Sequence, residues 1–280
     1  MHIIMRFFTL ILSAVLAACG GHSPTTEVSP GGRPVASGPF DTYKTQHNSF
    51  NRVRMDRSRA EDAATLAAFE DADPTDPAGY RNLIRLAERD YGGKVTIEVI
   101  AQVDTASGAP TRLLRLTADQ APFDNSRNGS PGATRGRYFF KGQSFAWVTI
   151  DDGPLLSGRH SQGLENLVLD FDKGTADIDI RTEVSDRSQV EIGLRAIGLP
   201  FDVVSGAFGG GATIHVRNPD VTETYRIPGH LRGNVGGSPT YSDGQHGMAA
   251  SGLYTARGAD GGHSVKVDGA FVGRDPNARP

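Results

Sequence analysis

Eight short segments of alternating apolar and polar residues fill the second half of this 280-residue chain, most of them set off by glycine-rich or aspartate-rich turns. They lie at Ser144–Ile150, Leu164–Phe171, Thr175–Val184, Gln189–Ile197, Ala212–Arg217, Thr224–Leu231, Gly247–Ala256 and Ser264–Val272. Successive side chains on a strand point to opposite faces, so Leu167, Leu169 and Phe171, or Ile214 and Val216, mark the apolar face of a half-buried strand. Between the segments stand Asp172-Lys173-Gly174, Gly209-Gly210-Gly211, Gly233-Asn234-Val235-Gly236-Gly237 and Asp260-Gly261-Gly262, which read as turns. The 35 glycines crowd this half, as many tight turns and closely packed strands require. The pattern predicts a mainly β fold: an eight-stranded antiparallel up-and-down barrel over residues 137–275, whose closure removes exposed strand edges. A two-sheet β-sandwich is the competing geometry.

Residues 41–136 read differently, as a small α-helical region followed by a β-hairpin. Ser58-Arg59-Ala60-Glu61 fits a capping box, in which a hydroxyl and a carboxylate three residues later satisfy free backbone N–H groups. Ala63, Ala64, Leu66, Ala67 and Phe69 then carry a first helix. Asp76-Pro77 predicts the start of a second, with Tyr80, Leu83, Ile84, Ala87 and Tyr91 on one face and Gly92-Gly93 at its end. Arg81, Arg85 and Arg89 would form a basic stripe opposite, a solvated face or a contact for anionic head groups. Val95, Ile97 and Val99, a turn at Thr105–Pro110 and the run Arg112–Thr117 make the hairpin. The stretch Ala118–Gly136 includes Asp124-Asn125-Ser126 and Asn128-Gly129-Ser130-Pro131-Gly132, all turn chemistry and no core.

The N-terminus has the layout of a secretory signal. One basic residue, Arg6, precedes an apolar run from Phe7 to Ala18. That run is too short for the roughly 20 residues a spanning helix needs, so it reads as an export signal and not a span. It ends in Leu16-Ala17-Ala18-Cys19-Gly20, which resembles the lipobox of bacterial lipoproteins. The resemblance implies cleavage after Ala18, a diacylglycerol on the Cys19 sulfur and an N-acyl chain, typically palmitate, on its amine. Cys19 is the only cysteine of the chain; thiols in an oxidising compartment normally pair, and lipidation accounts for a lone one. Gly20 stands where an aspartate would favour inner-membrane retention, so the resemblance implies the outer membrane, at the cell surface or the periplasmic face. Residues 1–18 are then the signal peptide. Residues 19–40, rich in Gly, Ser, Pro and Thr, are a flexible tether.

The segment Leu169-Asp170-Phe171-Asp172-Lys173-Gly174-Thr175-Ala176-Asp177-Ile178-Asp179-Ile180 resembles a hairpin of the transferrin-binding-protein-B-like surface lipoproteins. Ser251-Gly252-Leu253-Tyr254 and Val267-Asp268-Gly269-Ala270-Phe271-Val272-Gly273 are similar to the closing strands of their C-terminal barrels. The resemblance covers roughly residues 144–273 and implies the barrel and the anchoring. It does not extend to transferrin, because the chain lacks the family's connector in Ala256–His263.

The residues with chemistry to offer form no catalytic constellation. The formal charge of −3 has no basic excess for a nucleic-acid partner. Asp170, Asp172 and Gly174 mimic the start of a calcium loop but lack its closing glutamate, and read as a hairpin turn. Asp151-Asp152-Gly153-Pro154 is turn chemistry rather than a paired acid and base. No serine sits in a Gly-x-Ser-x-Gly elbow, and the glycines at Gly209 precede a strand rather than a phosphate-binding helix. Among the eight histidines, His2, His22, His47 and His160 are scattered. His215, His230, His246 and His263 lie in or beside strands and could meet at a barrel mouth to take haem or a metal. Tyr138, Phe139, Phe140, Phe145 and Trp147 around Lys141-Gly142 read as barrel packing, with a binding surface as the alternative. The expectation is a non-enzymatic, lipid-anchored outer-membrane protein without cofactor or catalytic residues, whose barrel binds a macromolecule or a small ligand. A periplasm-facing structural or envelope-assembly lipoprotein is the alternative, and haem or metal capture the third.

Overall fold

The computed structural model describes residue 35 and residues 49–53, 80–86, 94–126, 132, 134–185, 188–220, 223–239 and 247–275. In chain order the strands are β1 (Ser49–Val53), β2 (Tyr80–Leu86), β3 (Val95–Val103), β4 (Pro110–Gln120), β5 (Arg137–Ile150) and β6 (Leu156–Asp170). They continue with β7 (Thr175–Arg181), β8 (Glu191–Pro200), β9 (Ala207–Arg217), β10 (Thr224–Ser238), β11 (Gly247–Asp260) and β12 (His263–Arg274). Strands β5 to β12 each pair with the next, and β12 returns to β5 from Val265↔Ile150 to Arg274↔Lys141, closing an eight-stranded antiparallel barrel. Each of the eight expected segments overlaps one of these strands, and the closure rules out the sandwich.

Alternation sorts the barrel side chains. On β7, Ala176, Ile178 and Ile180 are buried and the residues between them are not. With Phe140, Leu164, Leu194, Phe208, Ile227, Tyr254 and Phe271 they form one continuous interior cluster. The interior is a packed core rather than a cup.

Two of the expected turns lie inside strands instead. Gly209–Gly211 belongs to β9 and Gly233–Gly237 to β10, and the reason is packing. A Cβ on Gly233 would come within 2.4 Å of the Phe208 ring, one on Gly252 within 2.4 Å of the Phe271 ring, and one on Gly269 within 2.0 Å of the Tyr254 ring. Each glycine is the direct cross-strand partner of the aromatic that covers it. The bare backbone leaves a slot, and the neighbouring ring fills it.

The front part of the chain forms a four-stranded antiparallel sheet in the order β1-β4-β3-β2. Its centre is the expected hairpin, whose turn is fixed by Asp104. That carboxylate accepts hydrogen bonds from the Ser107 amide at 2.7 Å, the Ser107 hydroxyl at 2.8 Å and the Ala106 amide at 3.1 Å. The second expected helix is not formed, since Tyr80–Leu86 is a strand paired with β3. Its register shifts between Asn82 and Ile84. A bulge adds one residue and breaks the period of two, so adjacent Leu83 and Ile84 give the strand the three-four spacing of a helix face. Arg81 and Arg85 therefore sit opposite Ala101 and Glu98 on a strand, not on a helical stripe. The first expected helix, Arg89 and the tether apart from Val35, which is buried, lie outside the described residues.

The sheet packs on the outside of the barrel. Val95, Ile97 and Val99 of β3 and Leu113, Leu116 and Ala118 of β4 join Phe145 and Trp147, Ala249 and Leu253, and Ala270 and Val272 in a second core. The outward-facing positions that the sheet covers are apolar for this reason, so β5, β11 and β12 are apolar on both faces over that part of their length. Gln120 anchors the contact by donating to Ser251 of β11.

Candidate functional site

Each end of the barrel has its own chemistry. One end is closed by the chain that follows β4. Phe123 forms a bridge to Gly237, and the Asp124 amide donates to the Gly237 carbonyl at 3.0 Å. The Phe123 ring lies 6.0 Å from Phe171, which stands edge-on to Phe201 at 4.9 Å and to Tyr138 at 5.2 Å. Asn125, buried, donates to the Val203 carbonyl and accepts from the Thr134 amide at 3.3 Å. The stretch expected to contribute no core thus supplies a stopper.

At the opposite end three connections meet. Asp151 and Asp152 occupy left-handed backbone at φ 51° and 56°, forming the β5–β6 turn. Asp151 Oδ2 lies 2.6 Å from His263 Nδ1, and Asp152 pairs with Lys266. His263 Nε2 is 3.7 Å from Glu223 Oε2, which accepts the Tyr225 hydroxyl at 2.8 Å. The hydrogen bond and charge of Asp151 push the His263 imidazole above its ordinary value, and the His263 hydrogen bond holds Asp151 below its own. Burial and the Glu223 contact push the Tyr225 phenol up to about 12. This cluster clasps the loops β5–β6, β9–β10 and β11–β12. Its two aspartates face different partners, Asp151 the His263 ring and Asp152 the Lys266 ammonium group.

The other histidines among the described residues do not converge. His215 and His230 are exposed on the outer wall of β9 and β10, facing away from the filled interior. His160 lies on β6 with Nε2 3.4 Å from Glu183 Oε2. No group of three or more His, Cys, Asp or Glu side chains able to hold a metal occurs among the described residues. Asp170 makes a turn: its carboxylate accepts the Asp172 and Lys173 amides at 3.1 and 3.0 Å, and Gly174 follows at φ 62°. Cys19, His2, His22, His47 and His246 lie outside the described residues.

No family model and no curated protein matches the chain. Among solved structures it is similar to transferrin-binding protein B of Haemophilus parasuis Hp5, at TM-score 0.39 and 10% identity, over 72% of this chain and 37% of that one. It is also similar to HpuA of Kingella denitrificans, solved in complex with human haemoglobin, at TM-score 0.38 and 12% identity over 66% and 56%. Isotype 1 transferrin-binding protein B of serogroup B Neisseria meningitidis gives 0.34 and 12% over 72% and 36%. The chain spans well under two thirds of each of these proteins. Likeness at this level says nothing of what the chain binds.

The outer wall carries surface features that no local sequence pattern marks. Around the stoppered end, Ile197 is 68% exposed, Val204 52% and Phe139 44%, while most other large apolar side chains are covered. Phe139 pairs with Val168 and Val168 with Asp177, whose carboxylate accepts the Gly198 amide at 2.8 Å. The three exposed residues therefore sit on one rim. Ile197 is turned out by the alternation of β8, in which Ile192, Leu194 and Ala196 face in, and the register shift between Ala176 and Ile178, with Gly198 at φ 67°, then returns Leu199 to the interior. The aromatic stretch splits between roles: Phe140 is interior, Phe145 and Trp147 lie under the outer sheet, Tyr138 joins the stopper, and only Phe139 is offered outward.

Proposed function

We propose that this chain is a lipid-anchored, non-enzymatic binding protein of the outer membrane that holds a protein partner against the outside of its barrel. The observation that carries the reading is the filled interior. Phe140, Phe208, Tyr254 and Phe271 occupy the space where a cup-shaped barrel would hold a ligand, and Phe123 stops one end. Recognition then falls to the outer wall, where the rim of Phe139, Ile197 and Val204 offers the apolar contact a protein interface favours at its centre. The lipobox-like Leu16–Gly20 supports anchoring through Cys19, with diacylglycerol and palmitate as the membrane contact, and Gly20 supports the outer membrane.

A pull-down from the native envelope tests it, with the full chain and its Ile197→Asp/Val204→Asp variant as baits. A protein retained by the wild type and lost by an equally folded variant is expected. Recovery of the same proteins by both baits would reject the rim as the docking surface. Cys19→Ser should release the protein into the soluble fraction and abolish palmitate incorporation. Digestion by protease added to intact cells is expected for display at the surface, and full protection would reject it.

A further inference from the structure

The outer wall between β5, β6 and β12 holds a cleft of about 620 Å³, lined by Lys141, His160, Gln162, Leu164, Glu165 and Arg274, with Gly142 at its edge. It opens where β6 bulges: the β5–β6 register shifts between Phe140 and Gly142 and again between Gly142 and Ser144. Bulges of this kind recur beside binding sites, where they re-aim side chains. The size falls within the roughly 300–1,000 Å³ usual for small-molecule sites.

The charges in this cleft are unusual. Lys141 and Arg274 are direct cross-strand partners, and like charges placed opposite each other repel. Neither side chain has a hydrogen bond or ion pair with any described residue, and the same holds for Gln162. Glu165, a carboxylate of the lining, lies 3.7 Å from Arg181. On the far wall His160 has Nε2 3.4 Å from Glu183, while its buried Nδ1 has no partner in the structure. That atom is closed off from the cleft, so the ring serves there as a wall. Two cations and an amide without a partner among the described residues call for a ligand with a doubly charged anionic group and a hydroxyl beside it.

We propose that this cleft binds a phosphorylated sugar or polyol, its phosphate between Lys141 and Arg274 and its hydroxyls toward Gln162. A phosphate monoester carries about −1.5 to −2 charges at neutral pH, which matches the two cations. The guanidinium can meet two of its oxygens at once. The cleft adjoins the apolar rim, since Lys141 follows Phe139 by two positions on the outer face of β5, but it is built from other residues and does not depend on a protein partner at the rim. The phosphate could be carried by a free metabolite or by a lipid head group.

Calorimetric titration of the full-length lipidated protein in neutral detergent separates these sources. The probes are glucose 6-phosphate, glucose and short-chain phosphatidylinositol 4-phosphate. Saturable binding of glucose 6-phosphate with none of glucose is expected for a soluble ligand; binding of the phosphoinositide alone assigns the phosphorylated polyol to a head group. The Lys141→Gln/Arg274→Gln variant should bind about tenfold more weakly or worse. Its melting temperature without ligand should hold or rise, because the like-charge pair is gone. Lys141→Arg/Arg274→Lys, which keeps both charges, should keep binding. Absence of saturable binding of either phosphate probe at millimolar concentration overturns the proposal, and so does wild-type affinity in the double glutamine variant.

Discussion

The Tyr254 ring lies across the Cα of Gly269 and its hydroxyl donates to the Phe145 carbonyl at 2.9 Å. One side chain thus spans from β11 over β12 to β5, tying three neighbouring strands at the closure of the barrel. Its fully buried position pushes the phenol well above its ordinary range.

Substitutions at the two residues should differ in size. Tyr254→Phe keeps the ring and removes one buried hydrogen bond, at a cost of about 1–2 kcal/mol. Gly269→Ala puts a methyl 2.0 Å from the ring, and overpacking of this kind typically costs about 1–3 kcal/mol, more where the backbone cannot move. Urea titration should rank Gly269→Ala below Tyr254→Phe in stability. Combined with Tyr254→Ala, the Gly269→Ala cost should shrink, giving a coupling that a double-mutant cycle reads directly.

Trp147 is the only tryptophan of the chain and sits 5% exposed beneath the outer sheet. Its emission should be blue-shifted in the native protein. Trp147→Ala should destabilise by about 3–5 kcal/mol, as expected for emptying a well-packed site. Ile97 belongs to the same core from the side of the outer sheet, and Ile97→Ala should cost about 2–5 kcal/mol while leaving the tryptophan in place as a reporter. In that variant a red shift of Trp147 at lower urea than loss of barrel circular dichroism would report the sheet lifting off first.

The barrel was legible because its signals are local. Alternation over five to ten residues and punctuation by Asp-Lys-Gly or Asp-Gly-Gly need no knowledge of distant partners. Strand β2 was not, because its bulge between Asn82 and Ile84 erases the period of two that distinguishes a strand from a helix. The glycines of β9 and β10 misled for a related reason. Gly233 reads as a turn residue until Phe208, 25 positions away, is seen to fill its side-chain space. The candidate sites depend wholly on such distant pairings. That Lys141 faces Arg274, or that Phe145 and Trp147 lie under β3 and β4, follows only from strand order and register. The histidines show the converse: sequence proximity to strands suggested a common mouth, and the side-chain parity of β9 and β10 turns His215 and His230 outward.

The Asp151–His263 contact should give a pH signature with two flanks. The folded His263 lies above its ordinary value of 6.5, so its contribution is complete below that value and is lost as pH rises through the folded value. The folded Asp151 lies below its ordinary value of 3.8, so its contribution is complete above 3.8 and is lost as pH falls through the folded value. Between these limits the clasp is fully charged, and the loops β5–β6 and β11–β12 are held together most firmly. Nuclear magnetic resonance titration should place His263 above its ordinary value of 6.5, and Asp151→Asn should bring it back toward that value. Glu223→Gln should lower it less, since Glu223 contributes only through its charge at 3.7 Å. An unchanged His263 titration in Asp151→Asn would show that the 2.6 Å contact does not persist in solution.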